Sequence, residues 1–199
     1  MFKQLLVGFL LADGWLEKHG QGARLGISLT ERFQDVAQWY LVLLYGMGYT
    51  DRLSLGAPLG RSKPNSKPYY QLRTFSFASL LVFYEQWYRT DKTKRVKCLP
   101  DHVVLYQMLT PFVLSVWIMG DGSGMRDGGF KISTHSFTQE ENQLLCDILM
   151  KKYGIYANVL PEKQYFYIRV WKRSTPLLLS LVKPYLLPSC EYKFRHVRF

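Results

Sequence analysis

The sequence predicts an α+β protein built from two pseudo-symmetric repeats, each with the element order α-β-β-α-β-β-α. Three observations support this prediction: an internal repeat at an offset of 108 residues, two nearly all-apolar segments that each end in Asp-Gly, and segments in which apolar and polar residues alternate. With 48% apolar and 16% aromatic residues, a chain of 199 residues can bury a core, and this composition excludes a disordered polycation.

The internal repeat appears when the chain is aligned with itself. At the offset of 108 residues the gap-free alignment pairs Asp13-Gly14 with Asp121-Gly122, Gly20 with Gly128, Ser28 with Ser136, Thr30 with Thr138, Leu41 with Leu149, and Tyr45-Gly46 with Tyr153-Gly154. Because these identities fall at matching places in matching patterns, two copies explain them better than chance. We predict a first repeat at 1–95 and a second at 96–199, with a boundary linker at about 89–105.

Within each predicted repeat, an apolar helix comes first, a hairpin and an amphipathic helix follow, and two more strands precede a closing apolar helix. Glycine ends each opening helix, and helix-start residues stand at Thr30-Glu31 and at Thr138-Gln139-Glu140-Glu141. The best-marked segments, first repeat before second, are opening helices at 5–13 and 111–121, strands at 69–77 and 165–171, and closing helices at 78–88 and 175–185.

The hairpin strands alternate apolar and polar residues, but in opposite phase in the two repeats. Leu25 and Ile27 are apolar in the first, whereas Phe130 and Ile132 are apolar in the second. Under an even offset of 108 residues the two apolar faces do not superimpose. We therefore expect a bulge or a compensating shift, whose place the alignment leaves open.

The charge of the chain favours a polyanionic partner. There are 26 Lys and Arg residues against 15 Asp and Glu, a net charge of +11, and nucleic acid is the commonest polyanion. Solubility alone is the alternative explanation. Three cysteines without metal-ligand spacing argue against a disulfide framework and a zinc site.

A membrane partner is not expected. The apolar stretch at 5–12 is shorter than the roughly 20 residues that a membrane span needs. The stretch at 103–120 is interrupted by Gln107, Thr110 and Pro111. Because the first structured element begins at about Lys3, we also expect no cleavable targeting segment.

The two apolar helices each carry one carboxylate at the C-terminal end, Asp13 and Asp121. A single Asp-Gly helix end is more often a turn signal than a ligand. Here, however, a helix that is apolar all round must be buried, and the other copy is the obvious partner. A carboxylate at the negative end of a helix dipole is unfavourable without a cation, and two of them would repel each other. A divalent cation such as Mg²⁺, bound through hard oxygen ligands, resolves this conflict.

Both segments, 6–14 and 114–122, resemble the LAGLIDADG motif. Nearly all of the chain resembles the single-chain LAGLIDADG homing endonucleases, of the branch containing the yeast mitochondrial intron-encoded enzyme. The sequence departs from the motif at Leu11 and Met119, where the motif has its first Asp, and at Val116, where it has Gly. The most specific segments are 109–122, 133–140 and 181–188 together with Tyr192-Lys193.

The resemblance implies an active site at the two motif ends. Asp13 and Asp121 match the metal-binding acids of the family, and the residues before them, Ala12 and Gly120, would offer backbone carbonyls. The family also places a basic residue beside each acid. Lys97 and Lys193, each just beyond the closing helix of its repeat, are the candidates, and either could polarise the attacking water or stabilise the pentacovalent phosphate.

The resemblance further implies a site-specific double-strand DNA endonuclease. It would hydrolyse phosphodiester bonds with Mg²⁺ or Mn²⁺ in a long, nearly asymmetric target, as a monomer encoded in an organellar intron, in a mitochondrion or a chloroplast. The motif helices would pack at the interface of the repeats, and the two four-stranded antiparallel sheets would form a saddle over the DNA major groove. The alternative is an intron RNA-splicing maturase with the same fold, with or without DNA cleavage, whose partner would be its own intron RNA.

The predicted strands supply candidates for DNA contacts, because Arg and Gln side chains can hydrogen-bond bidentately with base edges in the major groove. The alternative is an ordinary solvated sheet face. In the inserted segment at 57–68, Arg61, Lys63 and Lys67 are candidates for phosphate contacts. The candidates on the strands are Arg24, Ser28, Gln71, Arg73, Lys131, Ser133, His135, Tyr165, Tyr167, Arg169 and Trp171.

Overall fold

Seven α-helices and nine strands are formed by the residues that the structure, a computed structural model, describes, which are 1–60 and 67–197. In chain order they are α1 (Phe2–Leu11), β1 (Trp15–His19), β2 (Gly22–Thr30), α2 (Gln34–Gly46), β3 (Tyr69–Arg73), α3 (Ser79–Trp87), β4 (Tyr88–Asp91), β5 (Lys94–Lys97), α4 (His102–Met108), α5 (Pro111–Asp121), β6 (Gly122–Gly124), β7 (Phe130–Ser133), α6 (Gln139–Tyr153), β8 (Ala157–Glu162), β9 (Tyr165–Val170) and α7 (Thr175–Val182).

Helices α1 and α5 cross in close contact and form the centre of the core. Most of their side chains are buried, as their largely apolar sequences require. A Cβ atom added at Gly8 would lie 2.6 Å from the Cβ of Val116, and one added at Gly120 would lie 2.8 Å from the Cβ of Ala12. The two backbones therefore approach each other more closely than larger residues would permit.

The ends of these two helices differ. At its start, α5 has Pro111 in the first turn, and the Thr110 hydroxyl accepts a hydrogen bond from the Val113 amide at 3.3 Å. Asp121 is the last residue of α5, as predicted. Helix α1 instead ends at Leu11, because the Gly14 amide turns back to donate to the Phe9 carbonyl at 2.8 Å. Asp13 therefore lies just beyond its helix.

Each repeat contributes one main antiparallel sheet, and β4 and β5 form a separate sheet of two strands. In the second repeat the strand order is β6-β7-β9-β8, the predicted four strands. In the first repeat the described residues form three, in the order β1-β2-β3, and at the outer edge of β3 Leu59 makes a single antiparallel bridge to Tyr69. Pro58, which has no N–H group, precedes that bridge and limits the ladder there.

The opposite phase of the two hairpins comes from their lengths. Trp15 pairs with Gly26, eleven residues later, whereas the aligned Ser123 pairs with Lys131, only eight residues later. The second hairpin is thus three residues shorter, and an odd difference reverses the alternation. This is the compensating shift that the alignment could not place.

The segment expected to be a linker is structured. Strands β4 and β5 form a hairpin, and α4 begins where the Asp101 carboxylate accepts a hydrogen bond from the Val103 amide at 2.9 Å. The predicted strand at 69–77 also ends early, at Arg73, although Phe77 still bridges Ala23. The predicted division between residues 95 and 96 falls inside β5.

Among the helices of the described part of the chain, none alone is long and apolar enough to cross a membrane. Helices α4 and α5 reach that length only as a pair, and they are bent by 94° relative to each other. Cys98, Cys146 and Cys190 are free, buried thiols.

We predict that Gly8→Ala lowers the free energy of unfolding by about 1–3 kcal/mol, the usual cost of an overpacked core, even though alanine favours helices. The reason is the 2.6 Å approach to Val116. Urea denaturation measures the change.

The control for Gly8→Ala is Gly46→Ala at the end of α2, where an added Cβ has no neighbour within 4 Å. It should be neutral, or stabilising by up to about 1 kcal/mol. Equal effects at both glycines would contradict the proposed importance of the helix crossing.

Candidate active site and nucleic-acid interface

The structure brings the two predicted acids together at one end of the helix crossing. Ala12 and Gly120, the residues before Asp13 and Asp121, face each other across the crossing. The Asp13 side chain is exposed, whereas Asp121 is half-buried. Burial, and after it the nearby Asp13 carboxylate, raises the pKa of Asp121 to about 8, although Lys97 and Lys193 act in the opposite direction.

The two predicted lysines reach the same place. Lys97, at the end of β5, donates hydrogen bonds from Nζ to the carbonyl oxygens of Ala12, at 3.0 Å, and Gly14, at 2.8 Å. These carbonyls lie just beyond the end of α1, and the ammonium group that binds them places a positive charge beside the acids and the negative end of the helix.

Lys193, in the 3-10 segment Pro188–Phe194, likewise binds backbone carbonyls near the end of α5. Its Nζ donates to the carbonyl oxygens of Ile118, at 3.1 Å, Gly120, at 3.2 Å, and Gly122, at 2.8 Å. The side chain is only 5% exposed. Both repeats therefore use one arrangement, a lysine bound to backbone carbonyls at or just beyond the end of a motif helix, but Lys193 is less exposed than Lys97.

The burial of these lysines changes their acid–base properties. Desolvation lowers the pKa of Lys97 to about 8, against the opposing effect of Asp121 and Asp13. Desolvation also lowers the pKa of Lys193, and Cys190 and the two aspartates oppose that shift. A lysine whose pKa lies near neutrality can both hold and release a proton at physiological pH.

The donor set at this centre fits a hard divalent cation. Two carboxylates and the carbonyl oxygens of Ala12 and Gly120 converge, and one carboxyl has a pKa raised partly by the other, a conflict that a cation relieves. In the described ranges no group of three or more His, Cys, Asp and Glu side chains converges. Any ion at this centre would therefore depend on backbone and water oxygens as well as on the two carboxylates.

The predicted residues of the first sheet lie on its outer face. Ser28 pairs with Gln71, and Gly26 pairs with Arg73, while Leu25, Ile27 and Leu72 are buried on the opposite face. Sequence alternation did not identify two other residues of this outer face. The Trp15 ring covers Gly26, and the Glu17 carboxylate accepts a hydrogen bond from Arg24 Nε at 2.6 Å.

On the second sheet, Lys131, Ser133, Tyr167 and Arg169 lie together on the outer face, where Lys131 pairs with Arg169 and Ser133 with Tyr167. Lys131 Nζ lies 4.5 Å from the centre of the Tyr167 ring. On this sheet too, sequence alternation did not identify an acid of the outer face: Glu162, on β8, contacts Lys131.

Three further predicted residues extend this surface, namely His135, Tyr165 and Trp171. His135 stacks on Tyr165, with ring centres 5.4 Å apart. Trp171 Nε1 donates a hydrogen bond to Asn158 Oδ1 at 3.0 Å. Arg169 is paired with Asp127, in the turn between β6 and β7. The outer face of this sheet thus combines cations and aromatic rings.

The predicted residues of the inserted segment are placed only in part. Arg61 and Lys63 lie outside the described residues. Lys67 is exposed, two residues before β3. The roles assigned to all of these side chains stay predictions, because their positions alone do not test what they bind.

Known proteins resemble this chain along nearly its whole length. Residues 3–178 match the LAGLIDADG DNA endonuclease family. The cytochrome b mRNA maturase bI2 of Saccharomyces cerevisiae is 31% identical over 198 residues, which are 95% of this chain and 46% of that protein. A probable intron-encoded DNA endonuclease 3 of Mycosarcoma maydis is 31% identical over 125 residues, 62% of this chain and 91% of that protein. The chain therefore spans less than half the length of the yeast maturase.

Solved structures share the fold. The homing endonuclease I-WcaI, bound to its DNA recognition sequence, matches with a TM-score of 0.78 at 18% identity, over 96% of this chain and 84% of that one. I-DmoI, in complex with its target DNA in the presence of Mn, matches with a TM-score of 0.57 at 11% identity, over 94% of this chain and 96% of that one. These likenesses confirm the predicted α+β fold of two repeats.

The raised pKa of Asp121 predicts a pH-dependent stability in metal-free buffer. Because the folded protein keeps a proton on this carboxyl up to about pH 8 and the unfolded chain loses it near 3.8, this group makes stability fall as pH rises between those values. Asp121→Asn should therefore be more stable than the wild type at pH 8, by a few kcal/mol. The difference should shrink towards pH 4, as measured by denaturation in the presence of a chelator.

Asp147→Asn, on the exposed face of α6, is the matched control and should show no such trend. A stability difference between Asp121→Asn and wild type that stays constant from pH 4 to pH 8 would rule out this account of the buried carboxyl.

Proposed function

This chain belongs to the LAGLIDADG DNA endonuclease family, and we propose that it is a site-specific double-strand DNA endonuclease that uses a divalent metal. The observation that carries the proposal is the convergence of Asp13, Asp121, Lys97 and Lys193 at one centre between two sheets with basic outer faces. Such a centre combines oxygen ligands for a cation with positive charge for a phosphate, and hydrolysis of a phosphodiester needs both.

In the proposed mechanism the two aspartates and the carbonyls of Ala12 and Gly120 would hold Mg²⁺ or Mn²⁺. When bound, the ion supplies a hydroxide nucleophile and stabilises the leaving oxygen. Lys97 and Lys193 are fixed by two and three backbone carbonyls, so their charge is already oriented before the phosphate arrives. Lys97, whose pKa is about 8, is also able to exchange a proton with the attacking water or the leaving oxygen.

The proposed target is long and nearly asymmetric. The outer face of the first sheet carries Arg24, Gln71 and Arg73, whereas that of the second carries Lys131 and the tyrosines of β9. Two faces with different side chains read different sequences, so the two half-sites need not match. Since one chain supplies both faces, we propose that it acts as a monomer.

A second candidate function is RNA splicing by a maturase that binds its own intron RNA. The observation in its favour is that relatives from Saccharomyces cerevisiae and Debaryomyces hansenii are named cytochrome b mRNA maturase bI2; the second is 27% identical over 196 residues, 96% of this chain and 72% of that protein. Those names, together with the family resemblance, also support an organellar origin, in a mitochondrion or a chloroplast. The retained pair Asp13 and Asp121 favours DNA cleavage as the primary activity.

Cleavage of a library of duplex targets in Mg²⁺ tests the nuclease. Asp13→Asn and Asp121→Asn should each slow cleavage by roughly 100-fold or more while DNA binding persists, because each removes preorganised electrostatic stabilisation. Asp147→Asn should cleave at the wild-type rate. Full activity of either active-site variant would refute the mechanism, and RNA binding that promotes splicing without any DNA cut would favour the maturase.

Lys97 and Lys193 should both contribute to cleavage but should differ in their contribution to folding stability. Lys97→Met and Lys193→Met should both slow cleavage, by about 100-fold. Only Lys193→Met should also lower the free energy of unfolding clearly, by about 1–3 kcal/mol, because three carbonyls at a site that is 5% exposed lose their donor. Unfolding in urea and single-turnover cleavage separate the two effects, and equal stability losses would contradict the greater burial of the second centre.

A further inference from the structure

The outer face of the first sheet carries a carboxylate that bridges two of the proposed DNA contacts. Glu17, on β1, lies opposite Arg24 of β2 and accepts from its Nε at 2.6 Å. The same oxygen lies 3.7 Å from Nε of Arg73 on β3. One acid thus holds two guanidinium groups that come from two different strands.

The second sheet repeats this arrangement with different residues. Both carboxylate oxygens of Glu162 accept from Lys131 Nζ at 2.6 Å, and one of them lies 2.7 Å from Nε2 of His135. Lys131 and His135 also lie against the rings of Tyr167 and Tyr165. Each of these two side chains is therefore held between an acid and an aromatic ring.

These acids are unexpected on a surface that faces DNA. Exposed ion pairs contribute little to folding stability, so stability alone is a weak reason for them. A carboxylate also repels phosphates and so lowers the affinity for any duplex. What such a pair does achieve is to fix long, flexible cations in one orientation before binding, which reduces the entropy lost when they contact a base edge.

The same carboxylates also penalise incorrect sequences. At an incorrect base pair, the paired cation makes no hydrogen bond to the base, and the carboxylate is repelled by acceptor atoms on the base edge. At a correct site, a cytosine amino group can donate a hydrogen bond to the carboxylate. Specificity is a difference between affinities, and a repulsive element increases that difference even as it lowers affinity overall.

We propose that Glu17 and Glu162 are positioning residues that determine sequence specificity, each for the half of the DNA target that its own sheet reads. This inference rests on the proposed function, because it needs the two outer faces to bind duplex DNA. It assigns the acids a role that is separate from hydrolysis.

The test is selection of binding sites from a randomised duplex library by the full chain in a chelator, which makes it independent of cleavage. Glu162→Gln should reduce discrimination about tenfold at base pairs of one half-site, and Glu17→Gln should do so in the other half. Both should bind unrelated duplex more tightly. Their plots of log affinity against log salt should steepen by about 1 to 2, as one or two freed cations contact phosphates.

Asp147→Asn is the matched control, since it removes one negative charge from the exposed face of α6, away from both sheets. It should leave the selected sequence unchanged. Thermal unfolding should be the same for all three variants, which separates a change in recognition from a change in folding.

The outcomes distinguish the two proposals. If the wild type selects a sequence and both glutamine variants select it with equal stringency, or if either relaxes both halves alike, the inference is wrong and the endonuclease proposal stands. If the wild type selects a sequence but never cleaves it in Mg²⁺, the endonuclease proposal fails. The loss of discrimination by each glutamine variant in its own half-site then still shows whether Glu17 and Glu162 determine specificity. If the wild type selects no duplex sequence either in a chelator or in Mg²⁺, both are overturned.

Discussion

The structure depends on the close crossing of α1 and α5. Because Gly8 and Gly120 lack side chains, the two backbones meet, and the residues that follow each helix are forced into one small volume. That volume receives two carboxylates and two ammonium groups. Strands β1 and β6 begin soon after α1 and α5, so each main sheet starts close to this centre. Packing and electrostatics are thus coupled, since the contact that stabilises the core also creates the repulsion between the acids.

The parts of the fold that depend on local pattern were predictable from the sequence. The bounds of α5 follow from Thr110, Pro111 and the final Asp-Gly, and the buried side of each strand follows from simple alternation. The early end of α1 was not predictable, because it depends on the Gly14 amide turning back to the Phe9 carbonyl. The ordered hairpin of β4 and β5 was missed for a similar reason, since its lysine-rich sequence has the composition of a surface linker.

In the candidate site, the sequence identified the residues that stand in the repeated motif. It did not identify residues whose contacts appear only in the folded structure. Asp13 and Asp121 stand at equivalent places in two copies, so the sequence alone points to them. Glu17 and Glu162 have no such equivalence: Glu17 lies on β1, the first strand of its repeat, whereas Glu162 lies on β8, the third strand of the other. Nothing in a linear pattern says that Glu162 reaches across β9 to Lys131, because that contact depends on sheet order.

The hairpin of β4 and β5 has a consequence for how such a chain can be divided. Its last residue, Lys97, contacts the end of α1, and Arg95 pairs with Glu85 of α3, but the segment is also held by the second half. Glu141 of α6 accepts from Arg89 at 3.0 Å and from the Leu99 amide at 3.1 Å. A half exchanged with another protein at residue 95 would leave that lysine on one parent and its helix on the other. A recombinant that preserves the proposed function must therefore keep the whole segment 88–99 with the first half. The residue at position 141 of the new second half must then form a new contact with that segment. Although the chain is a duplication, its halves are not interchangeable modules.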